Sequence, residues 1–343
     1  MLNLKSQGTR GIDWILIVVV FVLVSIGLAA IYSVDLSKGN TLSYFPTQFL
    51  ALVVGTFVMA AAAFVHVNFY RSFAKLIYAL AFVLLASVLF LGVTVRGTTG
   101  WFRVAGFSFQ PAEFAKVALV IFMAWLISRY GRRFDKPQFV IATGLFTAIL
   151  AGLIMLQPDL GSALVLAGVW FGLLFLAGTK KRYIGGLIAI FMVVSVFSWA
   201  FVFKDYQKDR ILTFVDPARD PLGSGYNVTQ SIIAVGSGKF FGRGLGFGSQ
   251  SQLHFLPEAQ TDFIFSVVGE ELGFLGVLTL LVLYFLILWR LLKISRNSQD
   301  DFRSYLVLGI LLVFFVQMLV NIGGATGFLP VTGVTLPFVS YGG

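Results

Sequence analysis

Residues 12–32 read IDWILIVVVFVLVSIGLAAIY, a run whose one charge is Asp13 near its start. About 20 consecutive apolar residues are enough for a helix to cross a bilayer. The alternation expected of a transmembrane barrel strand, apolar and polar by turns over about ten residues, is missing. The pattern recurs. Nine such stretches lie at approximately 12–32, 45–65, 76–95, 111–130, 139–156, 160–177, 183–203, 263–289 and 305–323. The whole chain of 343 residues is 58% hydrophobic and 12% charged, against about a quarter charged in soluble domains. One soluble core does not hide that excess. The expected fold class is an all-α polytopic membrane protein with nine transmembrane helices, built as a single membrane-embedded domain over residues 1–343. The first run is too long for a signal-peptide core and has no clear cleavage site, so it reads as a retained helix.

The net charge of +10 is unevenly spread. With the N-terminus placed in the cytoplasm, the inside segments hold Lys5, Arg10, Arg71, Lys75, Arg129, Arg132, Arg133, Lys136, Lys180, Lys181, Arg182, Arg290, Lys293, Arg296 and Arg303. The short outside loops hold only Lys38, Arg96 and Arg103. Such a bias sets orientation. The basic balance therefore reports topology and contact with anionic membrane lipids, not a nucleic-acid partner. Residues 204–262 then form a large extracytoplasmic loop. Connections of this length are usually functional or disordered, and Ile211, Leu212, Phe214, Ile232, Ile233, Phe240, Phe241 and Phe255 argue for an ordered cap over the bundle.

Three outward helix starts share a proline and an acid: FQPAE with Glu113, LQPDLG with Asp159, and FLPEAQTD with Asp262. An acid in a first helical turn meets the positive end of the helix dipole, which is a sufficient structural account of Asp159. It accounts less well for the set. Glu113 and Lys116 lie three apart on one helix face, and each charge inside hydrocarbon costs about 2.5–3.5 kcal/mol on insertion scales. A structural ion pair is the plain alternative. Glu270 and Glu271 follow deeper on the Asp262 helix, beside a small-residue stripe of Ser266, Gly269 and Gly273. Together these residues predict a polar cavity opening outward with Asp262 at its mouth, while Glu258 reads as a loop or cap residue.

Other signals are weaker. The chain has no cysteine, which removes disulfides and thiolate metal sites. The two histidines, His66 and His254, fall on opposite sides, which leaves a divalent cation such as Mg or Mn held by carboxylates as the open metal chemistry. Residues 236–248, GSGKFFGRGLGFG, fail the phosphate-loop pattern because Phe240 follows Lys239 and Ile233 stands where the first glycine belongs. A flexible backbone hinge is expected there. An amphiphilic substrate suits the whole, with its tail between helices, its headgroup under the cap, and loop cations such as Lys204, Lys208, Arg210, Arg219, Lys239 and Arg243 near a pyrophosphate. Asp262 is placed to take a proton from an attacking hydroxyl.

SFQPAEFAK, LQPDLGSA, RILTFVDPARDPLGSGYNVTQSIIAVGSGKFFGRG, FLPEAQTDFIFSVVGEELG and LPVTGVTLPFVSYGG, in that order, resemble the SEDS family (shape, elongation, division, sporulation) along the whole chain. The wording of DPARDPLGSGYN and FLPVTGVTLPFVSYGG looks closer to the elongation branch, RodA, than to the division branch, FtsW. The resemblance implies a peptidoglycan glycosyltransferase that polymerises lipid II at the outer face of the cytoplasmic membrane and serves cell elongation and shape. It implies Asp262 as the catalytic residue activating the acceptor hydroxyl. Glu113, Lys116 and Asp159 are implied to line the central cavity, and a divalent cation to assist. The implied partner is a class B penicillin-binding protein, a transpeptidase. The family also implies a tenth crossing after SYGG. Two departures are visible: Gln260 where relatives often carry His, and Gly100 before Trp101 where they usually carry Arg. A lipid II flippase and a non-catalytic scaffold for the transpeptidase are the competing functions.

Overall fold

The computed structural model describes residues 12–37, 42–95, 97–104, 107–130, 136–201, 203, 205–216 and 223–342. Its helices are α1 (Trp14–Leu36), α2 (Phe45–Phe64), α3 (Val67–Leu91), α4 (Pro111–Tyr130), α5 (Pro137–Leu156), α6 (Leu160–Leu176), α7 (Lys181–Phe201), α8 (Asp205–Val215), α9 (Ser224–Ser237), α10 (Ser249–Gln252), α11 (Ile264–Arg296) and α12 (Asp301–Ala325). Among the described residues, eight helices are long and apolar enough to cross a membrane. The sixth expected crossing is α6, a shorter helix of 17 residues, about 26 Å at 1.5 Å per residue and near the lower limit for spanning.

The third stretch is displaced from its expected limits. Helix α3 begins at Val67, where the His66 ring accepts the Asn68 amide proton, and stops at Leu91. The apolar residues after it form an antiparallel sheet instead: β1 (Val93–Val95), β2 (Thr98–Val104) and β3 (Phe107–Phe109), in that order. Hydropathy counted Val93 and Val95 as helix; their β-branching and the left-handed turn residue Gly97 (φ 80°) favour a hairpin.

Helix α4 is the bundle's axis. Its apolar residues cover every side, as a buried helix requires, and Ala112, Ala115, Ala118 and Ala124 let its neighbours approach to full burial. One core joins α3, α4, α5 and α6; a second joins α1, α11 and α12 with Ala234, Leu256, Ala259, Leu336 and Val339 from the connecting segments. Helices α2 and α7 bury none of their residues. Two ion pairs tie the end opposite Asp262: Arg290 donates to Asp13 at 2.9 Å, and Arg71 grips both oxygens of Asp300.

Helix α11 is broken at Gly273, with φ 65° and ψ −161°. A break strands backbone carbonyls on one side and amides on the other. The glycine-rich segment supplies both sets of partners. The amides of Arg243 and Gly244 donate to the carbonyls of Glu270 and Glu271 at 3.0 and 2.9 Å, while those of Phe274 and Leu275 donate to Lys239 and Phe240 at 2.9 and 3.2 Å. Side chains at Gly238 or Gly242 would collide with the carbonyl oxygens of Gly269 and Glu271. The expected hinge is thus a fixed clasp, closed by backbone contact.

The same clasp corrects the placement of Glu270 and Glu271. Both are buried away from the cavity. Glu270 accepts from the amides of Gln250 and Ser251 at 2.8 and 3.1 Å; Glu271 accepts from the Ser33 and Ser251 hydroxyls at 2.5 and 3.2 Å. The small-residue stripe receives α9. The hydroxyls of Ser266 and Ser231 lie 2.6 Å apart, Ser231 donates to the Ala325 carbonyl, and Gly269 faces Val235.

Substitution of Gly242 (φ 82°) by alanine combines backbone strain with a collision. It should destabilise the protein by more than about 2 kcal/mol in detergent unfolding. Gly236→Ala, in open space on α9, should be neutral or stabilise by up to about 1 kcal/mol.

Candidate active site

A cavity of about 1330 Å³ runs through the bundle beside α1, α2, α4, α11 and α12. One end is polar, lined by Trp101, Arg103, Gln110, Glu113, Lys116, Asp159, Glu258, Thr261 and Asp262. The other is apolar, with Val20, Val24, Leu52, Ile287, Ile310 and Phe314. Ile287 lies 14 residues beyond the break at Gly273, roughly 21 Å further along α11 at 1.5 Å per residue. A ligand that fills it needs a polar head and a long apolar body.

Each acid is set by its own local structure. Pro111 opens α4 and puts Glu113 in its first turn, where Lys116 donates to its Oε1 at 2.7 Å. The lysine is 3% exposed and the glutamate 49%, so the pair points its carboxylate into the cavity and hides its ammonium. Asp159 caps α6, accepting from the Ser162 amide at 2.9 Å and from Gln110 Nε2 at 3.2 Å. Its capping role and its place in the cavity lining coexist.

Asp262 differs. Pro257 does not open α11; residues 257–263 form turns, and no side-chain hydrogen bond caps the helix. Glu258, with φ 54°, folds back so that Thr261 Oγ1 donates to its Oε2 at 3.1 Å. The Asp262 backbone is held from below: Asn321 Nδ2 donates to its carbonyl at 3.0 Å and to that of Val334 at 2.8 Å. One buried amide thus joins α12, the Asp262 turn and the segment after α12.

That last segment, residues 329–342, is the part of the site that pattern reading missed. It folds back to form a cavity wall. Ser340 Oγ donates to the Thr261 carbonyl at 2.7 Å, and the Tyr341 amide to the Gln260 carbonyl at 2.8 Å. Gly333 (φ 78°) lies against Asp262, where an added Cβ would stand 3.9 Å from Oδ2. The missed signal is glycine: Gly27 and Gly161 leave room for the backbones of Val339 and Thr332.

The structure therefore brings Asp262, Glu113, Lys116 and Asp159 to one cavity. Lys239 and Arg243 do not line it. They belong to the clasp, where Arg243 donates to Ser249 Oγ at 3.1 Å. Lys204, Arg219 and the side chain of Arg210 lie outside the described residues. No group of three or more His, Cys, Asp or Glu that would hold a metal occurs among the described residues.

Residues 13–343 match the family model of the FtsW, RodA and SpoVE cell cycle proteins. The probable peptidoglycan glycosyltransferase FtsW of Thiomicrospira cyclica is 37% identical over 352 residues, covering 100% of this chain and 90% of that protein. The peptidoglycan glycosyltransferase MrdB of Escherichia coli K12 is also 37% identical, over 310 residues, covering 90% and 83%. Identity alone thus sets the FtsW and MrdB relatives level. A solved structure described as "Structural coordination of polymerization and crosslinking by a peptidoglycan synthase complex" contains a chain with a TM-score of 0.81 and 31% identity, over 97% of this chain and 93% of that one.

The exposure asymmetry of the Glu113–Lys116 pair predicts unequal substitutions. Glu113→Gln leaves a buried ammonium without its counter-charge and should cost about 2 kcal/mol or more. Lys116→Met leaves a carboxylate that cavity water can solvate and should cost less. Thermal unfolding of the two purified variants makes the comparison.

Proposed function

The chain belongs to the FtsW/RodA/SpoVE family, and from that membership and the cavity we propose that it is a peptidoglycan glycosyltransferase polymerising lipid II, with Asp262 as general base. The observation that carries the reading is the graded cavity, acidic at the Asp262 end and apolar along α1, α2, α11 and α12. A polyprenyl tail fits the apolar part, and a sugar–peptide headgroup the polar part.

The chemistry is then a displacement. The acceptor hydroxyl oxygen attacks the anomeric carbon of the donor sugar, and the bond from that carbon to the diphosphate breaks. The hydroxyl proton passes to the Asp262 carboxylate, and the bonding pair leaves on the lipid diphosphate. Asp262 suits the role because its backbone is fixed by Asn321 while its side chain lines the cavity. Glu113 and Asp159, held by Lys116 and by the Ser162 amide with Gln110, are set to position the headgroup. Among the described residues no group of three or more His, Cys, Asp or Glu forms a metal cage. A divalent cation would have to be held mainly by diphosphate oxygens and water, and no step above passes through one.

The proposed setting is the cytoplasmic membrane, with the N-terminus in the cytoplasm and the Asp262 end facing outward. The Lys and Arg bias supports it: Arg71, Arg129 and Arg290 lie near the ends of α3, α4 and α11 opposite Asp262, and Lys180 lies between α6 and α7. A class B transpeptidase is the proposed partner, supported by the likeness to a chain from a synthase complex that couples polymerization and crosslinking.

Reconstituted with such a transpeptidase and labelled lipid II, the wild-type protein should make glycan strands. Asp262→Asn should lower the rate by about 100-fold or more with unchanged thermal unfolding. Equal polymer from both would remove Asp262 as the base. Lipid II crossing vesicle membranes without polymer would replace the transferase by the flippase.

A further inference from the structure

The charges of the cavity are unbalanced. Four carboxylates line its polar end, from Glu113, Asp159, Glu258 and Asp262, while the described lining holds two cations, Lys116 and Arg103. Lys116 is buried and committed to Glu113 at 2.7 Å. Lys239 and Arg243, the loop cations expected near an anionic group, do not line the cavity; Lys239 enters the clasp through its backbone carbonyl, and Arg243 through its amide, with its guanidinium on Ser249. The Arg103 guanidinium has no carboxylate or hydrogen-bond partner among the described residues, and it is exposed.

Its placement is fixed by the sheet that hydropathy concealed. Arg103 lies on β2 two residues after Trp101, and strand alternation puts both on one face. Both line the cavity, as does Ser108, the residue opposite Arg103 on β3. An unpaired guanidinium on the same strand face as an indole, at the acidic end of an amphiphilic cavity, has the chemistry to receive a phosphate. Its planar fork matches phosphate oxygens in pairs, which a lone ammonium does not. Without it, a diphosphate entering this end would meet carboxylates in excess of available positive charge.

We propose that Arg103 binds the diphosphate of the lipid-linked substrate and thereby fixes the donor headgroup against the Asp262 end of the cavity. The identity of that substrate rests on the function proposed above; the preference for a lipid diphosphate does not need it. Charge on the diphosphate grows as the carbon–oxygen bond breaks, so Arg103 acts on both the bound donor and its departure.

The test compares undecaprenyl diphosphate with undecaprenol in equilibrium binding to purified wild type, Arg103→Ala and Arg103→Lys. Wild type should prefer the diphosphate. Arg103→Ala should weaken diphosphate binding about tenfold or more, leave undecaprenol binding and thermal unfolding unchanged, and be partly rescued by Arg103→Lys. A diphosphate preference that survives in Arg103→Ala overturns the proposal, and so does an equal loss of both lipids, which would make Arg103 a residue that only shapes the cavity. Polymerisation separates the two readings. A wild type that selects the diphosphate through Arg103 but makes no glycan refutes the transferase and keeps the site. A wild type that makes glycan with KM and kcat unaltered in Arg103→Ala does the reverse.

Discussion

A helix interrupted inside an apolar bundle must find partners for the backbone groups it strands, and the rest of this site depends on how α11 does so. Four hydrogen bonds from residues 239–244 close the gap around Gly273. Because those partners come from the long connecting segment, satisfying the helix also docks the segment. The carboxylates of Glu270 and Glu271 extend the attachment by accepting from Ser33 and from residues 249–251. With one end docked at the break, the chain returns through 255–261 to deliver Asp262 at the cavity. Hydrogen bonding to stranded backbone groups, from other backbone and from side chains such as Asn321 and Ser340, sets where the acid stands.

The cavity follows from a second division of labour. Helix α4 spends its small residues on close packing and uses its first turn for charge, so Lys116 is buried while Glu113 faces the cavity. Helices α1 and α2 contribute apolar side chains, and the sheet β1–β3 with residues 329–342 supplies polar walls. None of these elements is amphiphilic enough alone to bind a lipid with a large head. The gradient arises where they meet.

Much of this was legible beforehand. Among the described residues hydropathy located the long helices, with the limits of α3 displaced, because burial of backbone in lipid permits little else, and the three acids of the proline motifs, Glu113, Asp159 and Asp262, do share one cavity. Reading failed where local composition had two structural solutions. Val93 and Val95 are as apolar as helix residues yet pair as strands. The glycines of 236–248 suit a hinge and a clasp equally; the choice depends on Gly273, some thirty residues on. Glu270 and Glu271 follow Asp262 on one helix, but the segment that turns them away from the cavity is held by tertiary contacts.

The amino-acid sequence by itself determined the class of the protein, its helices, the family motifs and the residue types available for chemistry, since these depend on composition and near-neighbour spacing. The tertiary structure decided which charges see the ligand. Lys239 and Arg243 stand at the clasp and outside the cavity lining, Arg103 is left facing the cavity, and Asn321 is tied to Asp262 across 59 residues. Those outcomes depend on long-range pairing, where a group's partner is chosen by the packing of distant segments and not by its neighbours along the chain.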